Sequence, residues 1–216
     1  MFARISRRYD LANHLLSGGL DFRWRHLTVS SLAPVAPKRI LDLATGSGDL
    51  ALALEKRYPD ATVVGADFCA PMLEIARKKG VRNLVNADGT DLPFPDADFD
   101  AVTVAFGLRN MASWEGALRE MHRVIRPGGL VAILDFSMPD GPLRPLYRLY
   151  LHAVLPVVAG LVTGDPAAYR YLGQSIERFP HGEAMLDLLR QGGFDAMTAS
   201  PLSGGIVSLY TAYRQS

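Results

Sequence analysis

A single cysteine, Cys69, stands in a chain of 216 residues. One thiol excludes an internal disulfide and fits a reducing compartment. A surplus of charge is missing too: 23 Lys and Arg face 22 Asp and Glu, a formal net charge of +1. Such a balance supplies no overall field to gather nucleic acid or an anionic surface. Nor is there an apolar run of membrane length. The most apolar stretch, Leu149 to Val162, is interrupted by His152 and Pro156 and falls short of the roughly 20 apolar residues that a spanning helix takes. The opening residues, Met1 to Arg8, lack the apolar segment of a secretory signal. The cysteine and the five scattered histidines show no metal-ligand spacing, and no nucleophile–base triad pattern is present. Repeats, low-complexity tracts and Pro/Gly/Ser linkers are likewise absent. What is there is a globular composition, 49% hydrophobic and 21% charged, long enough for one well-buried domain and short for two. The expectation is a single-domain, soluble, cytoplasmic protein that holds no metal.

From Arg39 onward, short β-rich runs alternate with runs of helical period, as a mostly parallel sheet covered by helices requires. Strands are predicted over Arg39–Ala44, Thr62–Asp67, Asn83–Ala87, Phe99–Ala105, Leu130–Phe136 and Gly205–Tyr213. Helices are predicted over Gly48–Tyr58, Pro71–Lys79, Ser113–Arg126 and Glu183–Arg190, from apolar positions three and four apart and from breakers beyond their ends. In the third helix Trp114, Ala117, Leu118, Met121 and Ile125 make one stripe, ended by Pro127-Gly128-Gly129. Leu146, Leu149, Tyr150, Ala153 and Val154 make another, whose simplest use is packing against the sheet. Residues 1–37 and about 138–180 fall outside the alternation. In an open α/β sheet the ligand sits beyond the carboxyl ends of the strands, and these two segments are expected to cover it. The chain is thus divided into an N-terminal helical lid (1–37), a cofactor-binding core (38–137), an acceptor-covering insertion (138–180) and a C-terminal helix and strands (181–216).

Asp42-Leu43-Ala44-Thr45-Gly46-Ser47-Gly48-Asp49 leaves the first predicted strand and enters a helix. Gly46 and Gly48 permit positive φ and a close approach of ligand to backbone. With Ala51 and then Asp67 about 20 residues on, the run also satisfies the dinucleotide-binding pattern, so an NAD-dependent oxidoreductase is a rival reading. Two acids argue otherwise. Asp42 lies inside the strand just before the loop, where it would repel a pyrophosphate and attract an ammonium group. Asp88, in Asn86-Ala87-Asp88-Gly89, follows a third strand, where it can accept a hydrogen bond from an adenine amino group. Acids at three successive strand ends, Asp42, Asp67 and Asp88, suit a cation-bearing nucleoside with a ribose diol, such as S-adenosylmethionine, better than a diphosphate. Each acid alone could instead cap the helix or turn that follows it.

The stretch Leu41 to Asp49, with Gly65-Ala66-Asp67 and Leu92-Pro93-Phe94-Pro95, resembles motifs of the UbiE/MenG C-methyltransferases of menaquinone and ubiquinone biosynthesis. Phe106-Gly107-Leu108-Arg109-Asn110 is similar to a signature of that family rather than of methyltransferases at large. Arg8 to Asn13 with Trp24-Arg25, Arg123 to Gly129, Leu134 to Ser137 and Gly192-Gly193-Phe194 extend the resemblance over almost the whole chain. Departures occur at Asp21-Phe22-Arg23, where the family has a His before the Trp-Arg pair, and at Ala105, Asp135, Arg126 and Gly89, where it has Ser, Glu, Lys and Ala. The resemblance implies a Rossmann-like, seven-stranded class I methyltransferase sheet, mostly parallel, with a helical lid. It also implies S-adenosylmethionine as donor, a demethylmenaquinol-type acceptor, and cofactor contacts from Thr45, Asp67, Asp88 and Gly89.

A sulfonium methyl is already an electrophile, so the protein has mainly to supply position and dryness. Methylation of a ring carbon needs an electron-rich ring, hence a quinol rather than a quinone, and a group to take a proton. Arg109 is a candidate to stabilise a phenolate and Asn110 to orient a ring oxygen; ion pairing and loop capping are their plainer uses. Tyr9 and Asp10 are candidates for part of a lid. His14 and His152 lie in the two covering segments and titrate in a useful range, although a lone histidine is more often structural. The expected partner is a prenylated quinol, met through a brief, weak contact with the inner membrane surface; nucleic acid is not expected, and a homo-oligomer is allowed. A ubiquinone precursor or another small phenol is the alternative acceptor. A cofactor-binding protein whose acceptor site has decayed is the non-catalytic alternative.

Overall fold

The computed structural model describes residues 19–157 and 166–215. Strands β1 (Arg39–Leu43), β2 (Thr62–Asp67), β3 (Asn83–Asn86), β4 (Phe99–Ala105), β5 (Ile125–Phe136), β6 (Phe194–Leu202) and β7 (Val207–Arg214) form one sheet in the order β3-β2-β1-β4-β5-β7-β6. The first five run parallel, and β7 runs antiparallel to both of its neighbours. Strand order reverses between β1 and β4, the switch point at which an open α/β sheet leaves a crevice beyond its carboxyl ends.

Both faces of the sheet are covered, so the central strands read as continuous apolar runs. Leu41, Val64, Val102, Val131 and Ile133 pack into one core cluster. Their strand neighbours Ile40, Val63, Ala101, Leu130 and Ala132 pack into another, as the period of two demands. Helices α1 (Leu20–Ser31), α2 (Asp49–Arg57) and α3 (Ala70–Lys79) close the second cluster through Trp24, Leu50, Leu54 and Ala76. Helices α4 (Trp114–Val124) and α7 (Glu183–Gln191) close the first through Leu118, Met121, Met185 and Leu189.

Three expectations are corrected. Helix α4 begins where predicted, because Ser113 Oγ accepts the Gly116 N–H at 3.0 Å, but it ends at Val124. Ile125 already belongs to β5 and pairs with Phe99. Pro127-Gly128-Gly129 is accordingly an irregularity within β5 rather than a helix stop. Gly128 takes φ +77°, and a Cβ on Gly129 would lie 2.7 Å from the Asp100 carbonyl oxygen. Secondly, β6 has no counterpart among the predicted strands. It is an edge strand with one buried residue, Phe194, a Pro at 201 and a register break between Asp195 and Thr198. Helix α1, in the N-terminal segment expected to be a lid, also packs into the layer that covers the sheet. Trp24 is buried and its Nε1 donates to Ser203 Oγ at 2.9 Å.

The third concerns α5 (Leu143–Leu149), which continues through a π-helical turn at Tyr150–Val154. The predicted stripe does not face the sheet: Leu146, Leu149, Tyr150, Ala153 and Val154 are exposed, as is Leu143 beside them. Leu151 and Leu155 are the buried positions instead. With Met138, Tyr169 and Ile176 they form a separate small core shared with α6 (Pro166–Arg178). The stripe is one face of the helix, as its spacing requires, but it is the face turned to solvent, and Leu151 and Leu155 lie on the other. Among the described residues no helix is long and apolar enough to cross a membrane.

Candidate cofactor site

A cavity of about 380 Å³ opens at the switch point, within the range of roughly 300–1,000 Å³ that small-molecule sites occupy. Of the candidate residues, Asp42, Thr45, Gly46, Asp67, Asp88, Gly89 and Asn110 all lie on its wall. Gly48, Arg109 and His152 are not among its lining residues. Tyr9 and His14 lie outside the described residues.

Each acid has its own environment. Asp42 is buried at the fourth position of β1. Its Oδ2 accepts the Thr45 hydroxyl at 2.6 Å and its Oδ1 the Thr103 hydroxyl at 2.8 Å. Burial pushes its pKa up to about 6, against the pull of those two hydrogen bonds. Asp67 ends β2 and ties the glycine loop down: Gly46 N–H donates to Oδ2 and Cys69 N–H to Oδ1, both at 2.8 Å. Burial raises this carboxyl too, with both backbone hydrogen bonds opposing. Asp88 is exposed and is held below the usual carboxylate range by the Thr90 N–H and hydroxyl, both on Oδ1.

The glycines divide by purpose. Gly46 sits on the wall at φ +57°. Gly48, at φ +86°, serves the fold instead: a Cβ there would meet Val81 Cγ2 at 2.5 Å and Ala76 Cβ at 3.0 Å. It lets α2 pass close to α3, which the loop pattern alone could not distinguish from room for a ligand. Two residues that are not glycine, Ala44 and Phe106, also take positive φ, at 54° and 59°. Both end strands flanking the switch point and both line the cavity. Strain of this kind persists only where surrounding structure holds it, and it gathers at binding sites.

Arg109 lies behind the wall. Its Nη1 donates to Asp135 Oδ1 at 2.7 Å and to the Phe106 carbonyl, and its guanidinium stacks 5.1 Å from the Phe136 ring centre. The side chains of the pair are 4% and 0% exposed. The shorter Asp135, at a position where Glu is expected in the family, is thus the buried partner of Arg109. Truncating Arg109 to Ala should lower stability by about 3–5 kcal/mol, the usual cost of stranding one member of a buried pair. Denaturant unfolding checks this. An unchanged midpoint with lost turnover would return Arg109 to the chemistry. His152 is on the outside, where its Nε2 lies 3.0 Å from Glu177 Oε2 on α6 and Arg148 shares the same carboxylate.

Two of the wall residues to which sequence reasoning gave no role stand out. Phe68, directly after Asp67, is 77% exposed and lines the cavity, a planar apolar face with room for a base. Its signal is an aromatic immediately beyond an acid at a strand end. Arg25, on α1, is the second. In the sequence it stands out only as half of a Trp-Arg motif.

The cavity fits an extended zwitterionic nucleoside: carboxylates at the ends of β1, β2 and β3 in spatial order, one of them fully buried, and an exposed ring beside the second. A pyrophosphate would face Asp42 and Asp67 with Arg25 as the one cation on the wall among the described residues. Sheet order and site together define a class I S-adenosylmethionine-dependent methyltransferase. A model of the ubiE/COQ5 methyltransferase family matches residues 1–214, and the chain belongs to that family. It is 49% identical over 220 residues to a demethylmenaquinone methyltransferase of Thermus thermophilus, covering 99% of this chain and 100% of that one. It is 45% identical over 220 residues to the ubiquinone/menaquinone biosynthesis C-methyltransferase UbiE of Syntrophotalea carbinolica, covering 99% and 92%. In fold it is similar to a methyltransferase from Thermotoga maritima described as a possible histamine N-methyltransferase, with a TM-score of 0.71 at 21% identity over 99% and 98% of the two chains.

Proposed function

We propose that the chain methylates a ring carbon of a prenylated quinol of the demethylmenaquinol type. The observation that carries this reading is the match over the full length of the chain to a relative named for that activity. The cavity supports it by joining the three acids to a strained Phe106-Gly107 corner and to Asn110.

Asp42 takes the ammonium of the donor's methionine end, Asp67 the ribose hydroxyls, and Asp88, through its Oδ2, the adenine amino group. Thr45 holds Asp42 in place, and Gly46 and Gly89 keep the wall flat. Phe68 covers the base. When bound, the donor supplies an electrophilic methyl group on a sulfonium. Asn110, which accepts the Tyr171 hydroxyl at 3.3 Å, is the polar group at the acceptor end and orients a ring oxygen. Arg109 acts through the corner it braces rather than on the ring. His14 and Tyr9 are the candidates for proton acceptor and lid that come from sequence alone; His152, paired outside, is not assigned a role. The exposed row Leu143, Leu146, Leu149 and Val154 lies on the helix that also carries Tyr147, a phenol that feels the Arg109 charge. We place the isoprenoid tail and a reversible membrane contact there.

An oxidised ring is a poor nucleophile, so the reduced acceptor should turn over at least about 100-fold faster than the quinone, a barrier difference of roughly 2.7 kcal/mol. Product mass measured under reducing and oxidising conditions checks this. Equal rates would contradict the reading. A panel including a ubiquinone precursor and a tail-less naphthoquinol ranks the acceptors by kcat/KM.

A further inference from the structure

Arg25 has a place on the wall that none of the roles above uses. It lines the cavity beside Thr45, Gly46 and Ser47, and its side chain is 15% exposed. Its Nη1 donates to Asp21, one turn earlier on α1 and itself buried. Its Nη2 stands 3.8 Å from Asp49 Oδ2, beyond hydrogen-bond reach, and Lys79 takes the other oxygen of Asp49 at 2.6 Å. The guanidinium is therefore fixed at one edge and not consumed at the other. Its charge also reaches Asp42, so cation and buried anion face the same end of the cavity. Trp24 pins the helix that carries it, lying buried 6.1 Å from the Phe106 ring.

The methionine end of S-adenosylmethionine is a zwitterion. Asp42 answers its ammonium. Its carboxylate must then lie close to Asp42 and Asp49, where without a cation it would be repelled. The amino end of α2, starting at Asp49, adds a partial positive charge there. We propose that Arg25 binds the carboxylate of the cofactor's methionine end, and that Asp21 is the positioning residue that aims it. A helix read from sequence as part of a lid thereby completes the donor site. The inference does not depend on the identity of the acceptor.

Calorimetry tests it with three probes: S-adenosylmethionine, S-adenosylhomocysteine and 5′-methylthioadenosine, which lacks the amino-acid end. Arg25→Gln should weaken the first two by about 10- to 100-fold, as expected for a lost charge-assisted hydrogen bond. Binding of methylthioadenosine should stay within about twofold of wild type, which also shows that the site is folded. Amidating the carboxylate of S-adenosylhomocysteine should cost affinity on wild type and almost none on Arg25→Gln. Should Arg25→Gln fail to fold, Arg25→Lys carries the same comparison, since an ammonium loses the two-pronged geometry. Equal losses for all three probes, or no loss for S-adenosylmethionine, would overturn the proposal.

Discussion

Replacing Asp67 by alanine is expected to raise the dissociation constant for S-adenosylmethionine at least about 100-fold, with the protein still folded. One charge-assisted hydrogen bond contributes roughly 1.5–3 kcal/mol, and each 1.4 kcal/mol is a factor of ten. The carboxylate offers such bonds to the ribose diol. It also holds Gly46 and Cys69 by their N–H groups, so its loss loosens the loop against which the donor lies. The empty protein loses less. Burial raises the pKa of Asp67, which means that its charge is disfavoured before ligand arrives. Asp67→Asn separates the two contributions: its oxygen can still accept one N–H, but its amide faces the other donor to donor. Calorimetry paired with a melting curve checks both claims. An affinity within about threefold of wild type would remove Asp67 from the ribose.

Asp42→Asn should do two opposite things: stabilise the empty protein and weaken its hold on the donor. A carboxyl raised from 3.8 to about 6 carries about 3 kcal/mol against folding once ionised in both states. The folded chain binds more protons than the unfolded one between those values, so stability falls as pH rises through that window. The gain from the substitution should therefore be absent near pH 4 and complete above about pH 6. Both hydroxyls that now bond to Asp42 keep a partner. The new amide's oxygen accepts from Thr45, and its nitrogen donates to Thr103, whose proton can turn to the Leu41 carbonyl, already 3.5 Å away. Donor affinity should drop about tenfold or more above pH 7, where the wild type offers a charge to the ammonium. As pH falls through about 6 the wild type should lose that advantage and approach the variant. Melting temperatures and titrations at pH 5 and pH 8 decide it. A variant less stable than wild type at pH 8 would contradict the buried-charge argument.

Much of this was legible in the chain itself. β1 to β5 carry apolar runs that end in Asp or in Gly-rich turns, and their order along the sequence already demands a parallel sheet. The three acids needed no structure, since a carboxylate at a strand end is visible as a letter and its neighbour across the sheet follows from topology. Gly46 and Gly48, by contrast, read alike. Only the packing shows that Val81 and Ala76 require the second. Arg109 looked catalytic because it follows a strand end next to the site. Its partner, Asp135, is 26 residues later and meets it only when β5 pairs with β4. β6 was hidden because an edge strand with one buried side chain has no alternation worth reading. The exposed row on α5 shows that spacing tells which side chains share a face, not whether that face meets the core or the solvent.

The central claim is transfer of a methyl group from sulfur to a ring carbon, and labelled methyl tests it directly. The protein is incubated under reducing conditions with S-adenosylmethionine bearing a trideuterated methyl and with a prenylated demethylnaphthoquinol, and the product is characterised by mass and NMR. The account predicts one trideuteromethyl group on the ring carbon ortho to an oxygen, with both ring oxygens free. A label found as a methyl ether, or an acceptor recovered unlabelled while the donor binds, would contradict it.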